Sequence, residues 1–233
     1  MGADRSDEVS IRRFEWLLQQ RGYTWCKEDR IYEVLCVTGK KPDFYVRTPH
    51  CSFLAELKSF REPSVLDRAI DLGQRVGVVD PGALQKRVNE RVHEAARQLK
   101  PYSIYGIAMV VVLDNWRQVR LPLDARALIG LFGQLEFRGW YRPEEGKIED
   151  LQLAHGGSRV LTDQVHRHVS AVLVNTGELR YPDDDMSEER PMWATILFNP
   201  FAAVPLPKEV FRSPADTHVW YEHGLGWVVK PAV

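Results

Sequence analysis

Apolar residues near the start of the chain recur at helical spacing: Ile11, Phe14, Leu17 and Leu18 form one stripe when each residue turns about 100°. The spacing predicts a helix over residues 7–20, with Ser6 as its cap, acidic residues in its first turn and Gly22 as its stop. Glu8 and Glu15 share one rim of that stripe. Residues 23–26 and 31–37 read as short strands, and Gly39-Lys40-Lys41 as a turn. Two more strands, 43–47 and 53–58, flank a turn at Thr48-Pro49-His50. Residues 64–72 read as a short helix. Asp80-Pro81-Gly82 is a helix entry. The clearest helical pattern follows, with Leu84, Val88, Val92, Ala95, Ala96 and Leu99 on one face and Pro101 as its end. Residues 104–113 then read as a buried strand, continuous and rich in β-branched side chains.

The second half carries weaker periodicity. Residues 128–132 read as helical, 141–157 as a polar loop, 169–175 and 193–199 as strands, and 201–207 as an irregular apolar segment. Asp183-Asp184-Asp185 reads as a solvated loop, and 219–229 as a terminal hairpin around Gly224 and Gly226. There is no internal repeat and no linker, so residues 1–233 read as a single domain.

In the central hairpin, Pro49 and His50 as the two residues of a tight turn place Asp43 directly opposite Glu56. Opposed residues share a face, so Phe44, Val46, Phe53, Ala55 and Leu57 make one wholly apolar face. Asp43, Tyr45, Leu54, Glu56 and Lys58 make the other. A loop one residue longer breaks this sorting, so the hydrophobic pattern favours the register.

Composition narrows the reading. A chain of 233 residues that is 44% hydrophobic and 27% charged can bury a sizeable core, which excludes wholesale disorder. A net charge of −1 excludes a protein that coats nucleic acid indiscriminately, so contact with nucleic acid needs a local basic patch. Cys26, Cys36 and Cys51 have neither CxxC nor Cys/His metal spacing and read as free thiols. The charged residues after Met1 do not read as a signal peptide, and the longest apolar run, 107–113, is too short to span a bilayer. The expectation is a cytoplasmic protein with no membrane partner.

The opposed acids change the picture most. Two carboxylates facing each other on a sheet repel, at a cost of roughly 0.2–1 kcal/mol. Removing either is therefore expected to leave stability unchanged or slightly raised. A hard cation reverses the sign, because Mg²⁺ takes one or two carboxylates together with water and phosphate oxygens. Such a metal activates water and stabilises charge in phosphoryl transfer, and Lys58 on the same face can orient the water or stabilise developing charge. The bland alternative is a solvated strand face on which Lys58 pairs with Glu56 and Asp43. His166-Arg167-His168, two histidines at i, i+2 in an expected strand, has metal-binding geometry but no further ligand, and reads as strand surface.

Pro42-Asp43 followed by Glu56-Leu57-Lys58 resembles the PD-(D/E)xK nuclease superfamily. The order of helix, strands, acidic hairpin, long helix and buried strand matches over residues 6–115. The resemblance implies an α/β fold, with a mixed central sheet flanked by helices, a restriction-endonuclease-like core, and an extension of the sheet over 116–233. It implies a metal site on an open sheet face, with Mg²⁺ or Mn²⁺ held by Asp43, Glu56 and the Leu57 backbone carbonyl, and Lys58 as the catalytic lysine. A glutamate of the first helix often reaches the metal in this superfamily; Glu15 is the first choice here and Glu8 the second. Gln98-Leu99-Lys100-Pro101-Tyr102 is similar to the QxxxY element of RecB-type members, which implies accessory or substrate roles for Gln98, its neighbour Arg91, and Tyr102. No early GxxxH element accompanies it. The implied partner is nucleic acid, DNA ahead of RNA, and the implied assembly a homodimer that cuts two strands. A binding module that kept the fold without the chemistry is the rival reading, with a hydrolase of another phosphoester or a structural subunit behind it.

Overall fold

A computed structural model of the chain describes residues 5–27, 30–31, 35, 41–60, 81–114, 123, 125–133, 135–142, 144, 146–155, 159–177, 191–222 and 226–232. Gly39 and Lys40 of the expected turn, the helix at 64–72, the Asp80 cap, the loop at 183–185, and Cys36 lie outside those residues.

Helix α1 (Arg5–Gln20) buries Phe14, Leu17 and Leu18. It closes as the glycine predicts. Gly22 takes a left-handed φ of 67°, its N–H donates to the Gln19 carbonyl at 2.9 Å, and Tyr23 N–H donates to Leu18 at 3.0 Å. These two bonds satisfy carbonyls that the last turn leaves open. Two arginines tie α1 to the sheet: Arg13 Nε meets buried Asp114 at 3.1 Å, and Arg21 Nη2 meets buried Asp216 at 2.6 Å.

Eight strands make one mixed sheet: β1 (Thr24–Lys27), β2 (Phe44–Arg47), β3 (Ser52–Ser59), β4 (Ala108–Asp114), β7 (Ala171–Gly177), β8 (Met192–Phe198), β9 (Thr217–Glu222) and β10 (Gly226–Pro231), in that spatial order. Pairing is antiparallel from β1 to β3, parallel through β4 to β7, antiparallel to β8, parallel to β9 and antiparallel to β10. The parallel β3–β4 pair requires a crossover, and helix α2 (Pro81–Leu99) lies in that connection. Its Val88, Val92, Ala95, Ala96 and Leu99 pack with Leu54, Val111 and Leu113 on one sheet face, where the short helix α3 (Ala125–Ile129) adds Leu128. On the other face α1 packs on Phe44, Val46, Phe53, Ala55 and Val110. The three helices therefore cover the sheet from both sides, and among the described residues no helix is long and apolar enough to cross a membrane.

Several expectations change. Arg30, Ile31 and Leu35 are helical, with Ile31 and Leu35 buried; side chains four apart point the same way on a helix, and the short apolar run did not separate helix from strand. Pro101 ends α2, but the chain continues as a 3₁₀ helix (Lys100–Tyr105) that leaves Ile104 80% exposed, so β4 starts only at Ala108. Residues read as a polar loop pair instead as a separate two-stranded ribbon, β5 (Leu135–Arg142) with β6 (Lys147–His155), bulged between Arg138 and Trp140. A two-stranded ribbon can leave both faces to solvent, so its strands need not show an apolar alternation, and polarity alone read as loop.

The two-histidine segment is a turn and not a strand. Thr162 Oγ1 accepts the N–H groups of Gln164 (3.0 Å) and Val165 (2.8 Å), and His166 takes a left-handed φ of 54°. His168 Nε2 donates to the Ala96 carbonyl, in the last turn of α2, at 2.7 Å. His166 Nε2 lies 2.8 Å from His93 Nδ1, so one ring donates and the other accepts. Burial first, then the neighbouring His93, His168, Lys100 and Arg97, push the His166 imidazole down to about 4. An unfolded histidine binds its proton near 6.5. Stability from keeping His166 neutral is therefore complete above pH ~6.5 and lost as pH falls toward 4. His166→Asn is expected to flatten the fall of the denaturant midpoint between those values; an unchanged slope would show that His166 is not the group that titrates.

Candidate active site

The hairpin register is the one the hydrophobic pattern implied: Phe44 faces Ala55, Tyr45 faces Leu54 and Val46 faces Phe53. The turn is fastened by Thr48, whose N–H donates to the Cys51 carbonyl at 2.9 Å and whose Oγ1 accepts the N–H groups of His50 and Cys51. Burial pushes the Cys51 thiol up, away from the reactive thiolate.

Continuing this register by one residue brings Asp43 opposite Glu56. Residues 48 and 51 form a hydrogen-bonded pair, and such pairs recur at every second position. The rung after 44 with 55 is therefore 42 with 57. Residue 42 is proline and has no N–H to give the Leu57 carbonyl. The Leu57 N–H goes instead to Asp43 Oδ2, at 2.6 Å. Proline followed by aspartate thus ends the ladder in a defined way: the carboxylate replaces a backbone acceptor, and the ladder offers the Leu57 carbonyl no donor from residue 42.

Glu56 and Lys58 project to the α2 side of β3. That face is covered and not open, because Leu54 and Tyr45 share it and the apolar stripe of α2 packs over it. Glu56 is only 1% exposed. Its Oε1 accepts a bond from Lys58 Nζ at 3.0 Å, and the same ammonium reaches Gln98 Oε1 at 2.9 Å and Glu94 Oε1 at 3.2 Å. An ammonium has three hydrogens, and each has an acceptor here. Arg91 Nη1 holds the outer side of Glu94 at 3.1 Å. Burial alone pushes Glu94 up, yet Lys58 and Arg91 acting together hold it below the ordinary carboxylate range.

The other expected residues are distributed differently. Gln98 is in the cluster, as a positioner of the lysine. Arg91 is there through Glu94, which the sequence reading missed; its signal was the spacing, four residues before Gln98 on the same helix face. Tyr102 is 0% exposed and packs in the core beside Tyr105. Glu15 pairs with Lys27 on the edge strand at 2.7 Å, and Glu8 is exposed. Among the described residues no three or more His, Cys, Asp and Glu side chains group as a metal site, so neither helix glutamate joins Asp43 and Glu56 in such a group. The donor set available to a cation would be Asp43, Glu56 and the Leu57 carbonyl. It is all oxygen, which suits Mg²⁺ or Mn²⁺ completed by water and substrate oxygens. An ionised carboxylate accepts about four bonds, so Asp43 can serve both the Leu57 amide and a cation.

No family model, no curated protein and no solved structure matches the chain.

Proposed function

We propose that the chain is a divalent-metal-dependent nuclease that hydrolyses phosphodiester bonds in DNA. The observation that carries this reading is the juxtaposition on one hairpin of Asp43, Glu56 and Lys58, with the lysine clasped by Gln98 of the crossover helix. The antiparallel β1–β2–β3 meander after α1, followed by α2 and the parallel strand β4, is the element order of a restriction-endonuclease-like core and supports it further.

Asp43, Glu56 and the Leu57 carbonyl would hold Mg²⁺ or Mn²⁺, which when bound lowers the pKa of water and stabilises charge on a phosphoryl oxygen. The chain's own part is to set the lysine. Glu94 is a far more exposed acceptor than Glu56, at 38% against 2%, and its contact is the longest of the three. A phosphate oxygen entering the site exchanges with Glu94 while Glu56 and Gln98 keep the ammonium aimed. Released from Lys58, Glu94 stays neutralised by Arg91.

Incubating the protein with labelled single-stranded, double-stranded and branched DNA, with Mg²⁺, Mn²⁺ or EDTA, tests the reading. Cleavage that EDTA abolishes supports it. Binding without cleavage under every condition would instead favour the non-catalytic module. Gln98→Ala is expected to lower the cleavage rate about tenfold through a misaimed ammonium, with little change in the denaturant midpoint because Gln98 is half-buried. Unchanged kinetics would reduce that helix rim to scaffold.

A further inference from the structure

We propose that the far end of the sheet carries a second anion site, built for a phosphate monoester of nucleotide size. Lys208 and Arg212 from the turn before β9, with Lys230 from β10, line one cavity of about 440 Å³ together with Glu209, His218 and Trp220. Among the described residues that line it, three are cations and one a carboxylate, a formal excess of +2 in a chain whose net charge is −1. A phosphate monoester carries about −1.5 to −2. The volume exceeds what a bare phosphate fills and lies within the range of small-molecule sites, about 300–1,000 Å³.

The cavity wall is held in shape by buried contacts. Phe211 is fully buried and takes a left-handed φ of 56°, a conformation that bulky residues avoid. Its N–H donates to the Tyr23 hydroxyl at 2.8 Å, and its carbonyl accepts His218 Nε2 at 3.3 Å. Pinned from both sides, this kink sets the path between Lys208 and Arg212, both of which line the cavity. Strain of this kind persists only where the surroundings fix it, and it gathers at binding sites. Lys208 Nζ lies 4.5 Å from the centroid of Trp220, and Lys230 Nζ 5.9 Å from it. Both ammoniums thus stand within cation–π reach of the same ring.

This site is not part of the Asp43–Glu56 centre. Strand β9 stands four places from β3 in the sheet, about 19 Å at the usual strand spacing. Trp220 packs with the cluster under α1, whereas Glu56 faces α2. The proposal therefore stands whether or not the nuclease reading does. A free mononucleotide and the phosphorylated end of a strand share the recognised chemistry, and the probes separate them.

Calorimetric titration of the full chain with AMP, inorganic phosphate, and an oligothymidylate with and without a 5′-phosphate tests the site. AMP is expected to bind, with affinity reduced about tenfold or more in Lys208→Ala and Lys230→Ala and largely kept in Lys208→Arg. Trp220→Phe should remove the tryptophan fluorescence change that accompanies binding. Preference for the 5′-phosphorylated oligonucleotide over its unphosphorylated form identifies a strand end as the source; AMP binding alone identifies the free nucleotide. The proposal is overturned by equal affinities in wild type and the alanine variants, by no binding of any probe at millimolar concentration, or by inorganic phosphate binding as tightly as AMP. Circular dichroism melts of each variant separate a lost site from a lost fold.

Discussion

Glu56→Gln is expected to yield a folded protein whose Mg²⁺-dependent cleavage is lower by about 10³-fold or more, because a metal contributes several kcal/mol of transition-state stabilisation and each ~1.4 kcal/mol is tenfold in rate. Glutamine has the shape of glutamate and keeps an oxygen for Lys58 Nζ, now 3.0 Å away. What it removes is the buried negative charge that would draw in a cation. Read from sequence, removing either of two opposed acids relieves repulsion and costs no stability. The structure limits that expectation, because each acid has another partner. Asp43→Ala deprives the Leu57 N–H of its acceptor at 2.6 Å and should cost about 1–3 kcal/mol. Asp43→Asn retains an oxygen that can accept that bond, and should separate loss of charge from loss of the ladder's last rung. Cleavage rates across a Mg²⁺ titration, with denaturant midpoints beside them, check this. Cleavage by Glu56→Gln within a few-fold of wild type would sink the metal assignment.

What the sequence revealed and what it concealed follow one physical line. The hairpin register was legible because a one-residue slip breaks up the wholly apolar face of Phe44, Val46, Phe53, Ala55 and Leu57. That register brought Asp43 and Glu56 together without being chosen for it. α1 and α2 were legible because long amphipathic stripes at helical period have few alternatives. Glu94 was not legible as a partner of Lys58, since its role depends on which rim of α2 crosses β3, and helix packing fixes that from residues scattered along the chain. The same holds for Arg13 and Asp114, one hundred and one positions apart yet in contact. Ile31, Leu35 and residues 147–155 were misread where local pattern carries least: a short apolar run in one case, a polar strand in a ribbon in the other. Covering of the Glu56 face was also hidden. Two apolar residues on it, Tyr45 and Leu54, were the available hint that the acidic side of the hairpin packs under a helix.

Burial of that face turns Lys58 from a surface counter-ion into a structural requirement, and Lys58→Met should show it. The Lys58 side chain is 11% exposed and that of Glu56 is 2% exposed. Breaking a buried ion pair by removing one partner costs roughly 3–5 kcal/mol, most of it from the charge left behind. Glu94 and Gln98 are nearer the surface and can turn to water, so Glu56 carries the penalty. Lys58→Met alone is therefore expected to be destabilised by an amount in that range, and to cleave nothing. The double variant Glu56→Gln/Lys58→Met should regain most of the stability while remaining inactive, since no buried charge is then stranded. Independent sites add within about 0.3–0.5 kcal/mol, so a recovery of 2 kcal/mol or more, as an order of magnitude, identifies direct coupling. Denaturant midpoints of the four proteins close the cycle. Simple additivity would mean that Glu56 is compensated by something other than the lysine, and the account of the clasp would fall with it.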